Sequence, residues 1–131
     1  MPDPPTVLCV DDNDALRGVA VRILRRRGYT VLEARDGEAG LHAMRAGNVD
    51  AVLTDLAMPG MDGPTMVAAI RASRPMLPIV VMSGCGDAAS LTVALAGALF
   101  LAKPFTPQSL TDILARAFDA DAVGSRRTEA Q

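Results

Sequence analysis

The chain has no tryptophan, one tyrosine and three phenylalanines among its 131 residues. So few aromatics leave no stacking platform for single-stranded nucleic acid. A basic excess is missing too: 13 Lys and Arg stand against 15 Asp and Glu, a formal net charge of −2. A direct nucleic-acid partner is therefore not expected. The two cysteines, Cys9 and Cys85, lie far apart and form no CxxC, which speaks against a zinc site or a disulfide framework. The start, Met1-Pro2-Asp3-Pro4-Pro5, lacks the charged and apolar regions of a signal peptide. No apolar run approaches the roughly 20 residues that span a bilayer. The expectation is one soluble, cytoplasmic domain with no membrane partner.

What remains is a globular composition, with half of the residues apolar and 21% charged, enough to bury a core. Its pivot is Ala51-Val52-Leu53-Thr54-Asp55, an apolar run that stops on a carboxylate and meets the breaker-rich loop Leu56 to Gly63. Such a run, bounded by turn residues, predicts a strand buried on both faces. Four more strands are predicted at Thr6–Val10, Thr30–Ala34, Ile79–Met82 and Leu99–Ala102. The second of these has the mixed polarity of a sheet edge.

Helical spacing fills the gaps. Leu16, Val19, Ala20, Ile23 and Leu24 share a face of the first helix, which closes on Arg25-Arg26-Arg27 and Gly28. Cations there complement the helix dipole, and glycine suits the left-handed cap. A second helix opens at Asp36-Gly37 and carries His42, the only histidine, which reads as a surface or boundary residue. A third begins at Gly63-Pro64, and proline favours a first turn. A weak, small-residue helix is predicted from Asp87 to Leu95, and a last one follows Thr106, a suitable N-cap. Five strands alternating with five helices predict a single-domain α/β fold, a parallel sheet with helices on both faces.

Parallel strands point one way, so their final residues converge on one edge, where such sheets bind ligands. Those residues are Asp11 and Asp12, Asp55, Ser83 and Lys103. Like charges gathered there repel unless something binds among them. Carboxylates with no His or Cys nearby suit Mg²⁺. Lys103 could then neutralise a bound anion while Ser83 donates a hydrogen bond to it, and a phosphoryl group is the natural anion. Asp55, on the central strand, is the candidate nucleophile that would form an acyl phosphate.

The motifs Val10-Asp11-Asp12, Thr54-Asp55 through Asp62-Gly63, Met82-Ser83-Gly84 and Lys103-Pro104-Phe105 occur in this order. On them the chain resembles a response-regulator receiver domain of two-component signalling, most like the C-terminal receivers of hybrid histidine kinases. The resemblance covers residues 6–118. It implies a flavodoxin-like, doubly wound sheet of order 2-1-3-4-5. It also implies that Asp55 takes its phosphoryl group from a histidine kinase or histidine phosphotransfer protein. Mg²⁺ would be held by Asp12, Asp55 and the carbonyl of Ala57, with Asp11 acting through water. Ser83 and Lys103 would contact the phosphoryl oxygens, and Phe100 would change rotamer as a switch. The Lys103–Pro104 peptide is expected to be cis. Ala57 and Cys85 stand where the family tunes phosphoryl lifetime, and neither positions water well, so a long-lived phosphoform is expected.

Three rivals are weaker. A Mg²⁺-dependent phosphohydrolase usually carries a second acid two residues beyond its nucleophile, where this chain has Ala57. A scaffold that binds partners without phosphorylation has no need of Asp11, Asp12, Asp55 and Lys103 together. In an FMN binder, Asp11 and Asp12 would repel the phosphate. The domain is therefore expected to be a signalling unit and not an enzyme, beyond promoting its own phosphorylation and dephosphorylation. From Ala88 to Ala102 there is no charge, which fits a buried segment, or a surface for weak homodimer contact shared with the last helix. Residues 1–5 read as an extension and residues 119–131 as a polar tail or linker remnant, too short for a DNA-binding output.

Overall fold

The computed structural model describes residues 4–84 and 97–130. Five strands, β1 (Thr6–Val10), β2 (Thr30–Ala34), β3 (Ala51–Asp55), β4 (Ile79–Ser83) and β5 (Leu99–Ala102), form one parallel sheet in the order β2-β1-β3-β4-β5. The helices among the described residues are α1 (Asp14–Arg26), α2 (Gly37–Ala46), α3 (Gly63–Ser73) and α4 (Pro107–Ala130). The predicted helix at 87–95, Cys85 and most of the uncharged stretch from Ala88 to Ala102 lie outside the described residues.

The period of two along each strand divides the core into two layers. Val7 and Cys9, Ala51 and Leu53, and Val80 and Met82 face one side, where α1 and α4 bury Ala20, Val21, Leu24, Leu110 and Leu114. Leu8 and Val10, Val52, Ile79 and Val81 face the other, against Met66, Val67 and Ile70 of α3. Strands covered on both faces read as near-continuous apolar runs, and β3 is buried along its whole length, with Thr54 and Asp55 polar only at its carboxyl end. β2, at the edge, is only partly buried, as its mixed sequence predicts.

Local chemistry sets the helix starts. Asn13, Asp36 and Asp62 each accept a backbone N–H three residues on, at 3.0, 2.8 and 2.9 Å. Thr106 and Ser109 cap each other reciprocally. α1 ends with Arg25 and Arg26 in its last turn and Gly28 at φ 94°, as the cap residues predict. Its phase differs from the sequence expectation, because Val21 faces the core while Val19 is 44% exposed. Ala20, Val21 and Leu24 span about 100° around the helix, so a stripe passing through both Val19 and Leu24, about 140° apart, is the less compact fit. The backbone of α4 also continues past Phe118 to Ala130, where a polar tail was expected. The apolar spacing does stop at Phe118, but the residues beyond it include the good helix formers Ala, Arg and Glu.

Candidate functional site

β1, β3, β4 and β5 run the same way and end at one edge, so their terminal side chains meet there. Asp11, the residue after β1, is fully buried. Its Oδ1 accepts the Asn13 N–H at 2.9 Å, while its Oδ2 is buried with no hydrogen-bond partner. Burial raises the Asp11 carboxyl above its ordinary range; the Asn13 N–H opposes this, and the nearby Asp55 charge adds to it. Asp55, the last residue of β3, is 8% exposed. One oxygen each from Asp11, Asp12 and Asp55 lies within 4.8 Å of the others. From the far side Lys103, just beyond β5, brings its Nζ to 3.1 Å from Asp55 Oδ1.

Backbone packing holds these groups in place. Leu56 N–H donates to the Met82 carbonyl at 3.0 Å and Lys103 N–H to the Ser83 carbonyl at 2.9 Å, which ties the strand ends together. The Lys103–Pro104 peptide is cis, as the resemblance implied. Gly63 closes the loop after Asp55: a Cβ there would sit 2.7 Å from the carbonyl oxygens of both Asp55 and Leu56. Only glycine lets α3 start so close to the end of β3.

The structure thus brings Asp11, Asp12, Asp55 and Lys103 together. Ser83 ends β4 beside Ala102 of β5, and β4 is the neighbour of β3. Phe100, opposite Val81, is half-buried against the α3 layer. Ala57 is exposed in the loop two residues beyond Asp55. His42 is exposed, as expected.

Two residues at this edge escaped sequence reasoning. Arg17 contacts the Asp11 carbonyl, and its only sequence signal was an Asp14 three residues earlier. Gly63 looked like an ordinary helix start.

The donor set fits a hard divalent cation. It consists of carboxylate oxygens, one of them buried and unpartnered, and such a group is costly without a ligand. Cys9, nearby on β1, offers no thiolate, because burial, and then the Asp11 charge, pushes its thiol up to about 12. Asp11, Asp12 and Asp55 are the residues that would hold the ion.

A parallel α/β domain with acids and a lysine at the carboxyl edge of its sheet has the architecture of a phosphoacceptor module. Residues 7–115 match the model of the response regulator receiver domain, and the chain belongs to that family. The sensor kinase CckA of Brucella abortus is 42% identical over 109 residues, which is 80% of this chain. The chain spans 12% of that protein's length. Among solved structures, the receiver domain of the hybrid histidine kinase CckA is 37% identical with a TM-score of 0.73, covering 86% of this chain and 97% of that one. The chemotaxis protein CheY4 of Vibrio cholerae is 30% identical with a TM-score of 0.82, covering 87% and 98%.

Receiver domains are signalling domains of two-component systems that work with histidine kinases or phosphotransfer proteins. Among the described residues no helix is long and apolar enough to cross a membrane.

Proposed function

We propose that Asp55 is the phosphoacceptor of this receiver. A carboxylate oxygen of Asp55 attacks the phosphorus of a phosphohistidine on a kinase or phosphotransfer partner. The P–N bond breaks, and the departing imidazole keeps the electron pair and takes up a proton. Lys103 neutralises the charge that arrives with the phosphoryl group, and Ser83 donates a hydrogen bond to one of its oxygens. Asp12, Asp55 and the carbonyl of Ala57, with Asp11 acting through water, would hold Mg²⁺, which when bound would supply further charge neutralisation. Ser83 drawn toward the phosphoryl group leaves room for Phe100 to turn, a local charge event that biases a two-state surface. Residues 6–118 form this unit, and residues 119–130 carry α4 onward as a connection. The uncharged stretch from Ala88 to Ala102, with α4, is the surface we assign to partner contact or weak self-association.

The observation that carries this reading is the Lys103 ammonium 3.1 Å from Asp55, beside three carboxylates within 4.8 Å of one another. Incubation with acetyl phosphate and Mg²⁺ is expected to add the mass of one phosphate to the wild type and none to Asp55→Asn. A wild type that gains nothing, or a variant that gains as much, overturns it.

A further inference from the structure

Arg17 lies on α1, one turn beyond the acid loop, and its side chain is only 14% exposed. The guanidinium reaches three pieces of chain. Nη1 donates to the backbone carbonyl of Asp11 at 2.7 Å. Nη2 pairs with Asp14 at 2.8 Å, and Nε donates to Glu33 Oε1 on β2 at 3.1 Å. Both carboxylates are solvent-accessible, Asp14 at 76% and Glu33 at 41%. Pairs of that kind stabilise a fold by about 0–1 kcal/mol. They are a weak reason to hold an arginine this still.

The contact with the Asp11 carbonyl is of another kind. That oxygen belongs to the peptide that joins Asp11 to Asp12. A peptide is planar, so fixing its carbonyl fixes the directions in which the chain leaves toward both side chains. On the other side the Asp11 carboxylate is pinned by the Asn13 N–H, and the Asp11 N–H donates to Ala34 of β2 at 3.1 Å. Arg17 completes this clamp from the helix.

We propose that Arg17 is a positioning residue for the phosphoacceptor site, holding the Asp11–Asp12 peptide so that both carboxylates face a divalent cation. The inference rests on the function proposed above and names a residue that acts on the ion through the backbone. Its effect has a distinctive sign. If Arg17 acted only as a nearby positive charge, removing it would tighten Mg²⁺ binding. If it positions the loop, removing it weakens binding.

Arg17→Met keeps the aliphatic stem and deletes every donor. Mg²⁺ affinity, read from the rise of Tm with Mg²⁺ concentration, is expected to fall about 10–100-fold, the usual cost of losing an outer-shell partner. Phosphorylation by acetyl phosphate should recover toward the wild-type rate at saturating Mg²⁺. Arg17→Lys, which retains a donor for the carbonyl, should restore most of the affinity, and Glu33→Gln should leave it near wild type. Mg²⁺ binding by Arg17→Met as tight as wild type, or tighter, overturns the proposal. So does Arg17→Lys or Glu33→Gln as weak as the expected Arg17→Met, and these two keep the test open if Arg17→Met does not fold. A wild type with no Mg²⁺ response defeats the phosphoacceptor reading itself. A normal wild type with an unimpaired Arg17→Met defeats only the role of Arg17.

Discussion

The two ends of the sheet are built on opposite terms. At the amino end, prolines and satisfied hydrogen bonds close the strands. Thr6 N–H donates to Asp50 Oδ2 at 2.7 Å, Asp50 N–H to the Thr6 carbonyl at 2.8 Å, and Arg71 caps the Leu77 carbonyl. At the carboxyl end, three acids crowd one another and a buried oxygen has no partner. The same strands thus carry one end that adds to stability and one that gives some of it up. Polar groups left in conflict are better explained by a ligand than by the fold.

The largest expected effect tests whether the core beneath is separable from the charged end. Leu53→Ala empties a fully buried position two residues before Asp55 and should cost about 2–5 kcal/mol in urea unfolding. The rise in Tm on adding Mg²⁺ should persist, since no ligand is lost. A variant that folds but ignores Mg²⁺ breaks the separation.

Asp11→Asn should act in the reverse sense. Without divalent cation it removes a buried charge with one unpartnered oxygen and should gain on the order of 1 kcal/mol. With Mg²⁺ that advantage should disappear, because the wild type gains and the variant does not. pH sharpens the contrast between two acids of this edge. The Asp11 carboxyl is raised in the folded state, with burial the main cause, so the metal-free fold binds its proton more tightly than the unfolded chain does. Its contribution therefore improves as pH falls through the raised value, until the ordinary carboxylate range is passed. The Asp62 carboxyl is lowered by the Thr65 backbone N–H. Its stabilisation is present above the ordinary range and lost as pH falls through the lowered value. Metal-free melting curves of wild type and Asp11→Asn should converge in acid. Curves that diverge there contradict the assignment.

The smallest effect belongs to the other end. Asp50→Ala removes the acceptor for the Thr6 N–H and should cost about 0.5–1.5 kcal/mol. The shift of Tm with Mg²⁺ should stay unchanged, and a changed shift would mean that the two ends communicate.

Much of this was legible in the chain. Four of the five strands announced themselves as apolar runs, and each of those runs led to the residue that matters: Asp11 and Asp12, Asp55, Ser83, Lys103. Parallel strands turn that sequence rule into a spatial one, which is why the acid cluster could be foreseen. Arg17 could not, because its partners are a main-chain carbonyl and a glutamate on another strand. The exposure of Val19 was missed because small apolar residues on α1 leave its inward direction open by a residue or two. Gly63 gave no warning, since its constraint is the approach of carbonyls seven and eight positions earlier in the chain.

Periodicity, breakers and caps act over a few residues, and these alone determined the five strands, the helix starts and the kinds of group at each strand tip. The 3.1 Å from Lys103 to Asp55, the orphaned oxygen of Asp11 and the reach of Arg17 were decided only once the crossovers had docked the sheet. These contacts join different elements, from six positions apart for Arg17 and Asp11 to 48 for Lys103 and Asp55, and they follow from packing two core layers against one twisted sheet rather than from any local pattern.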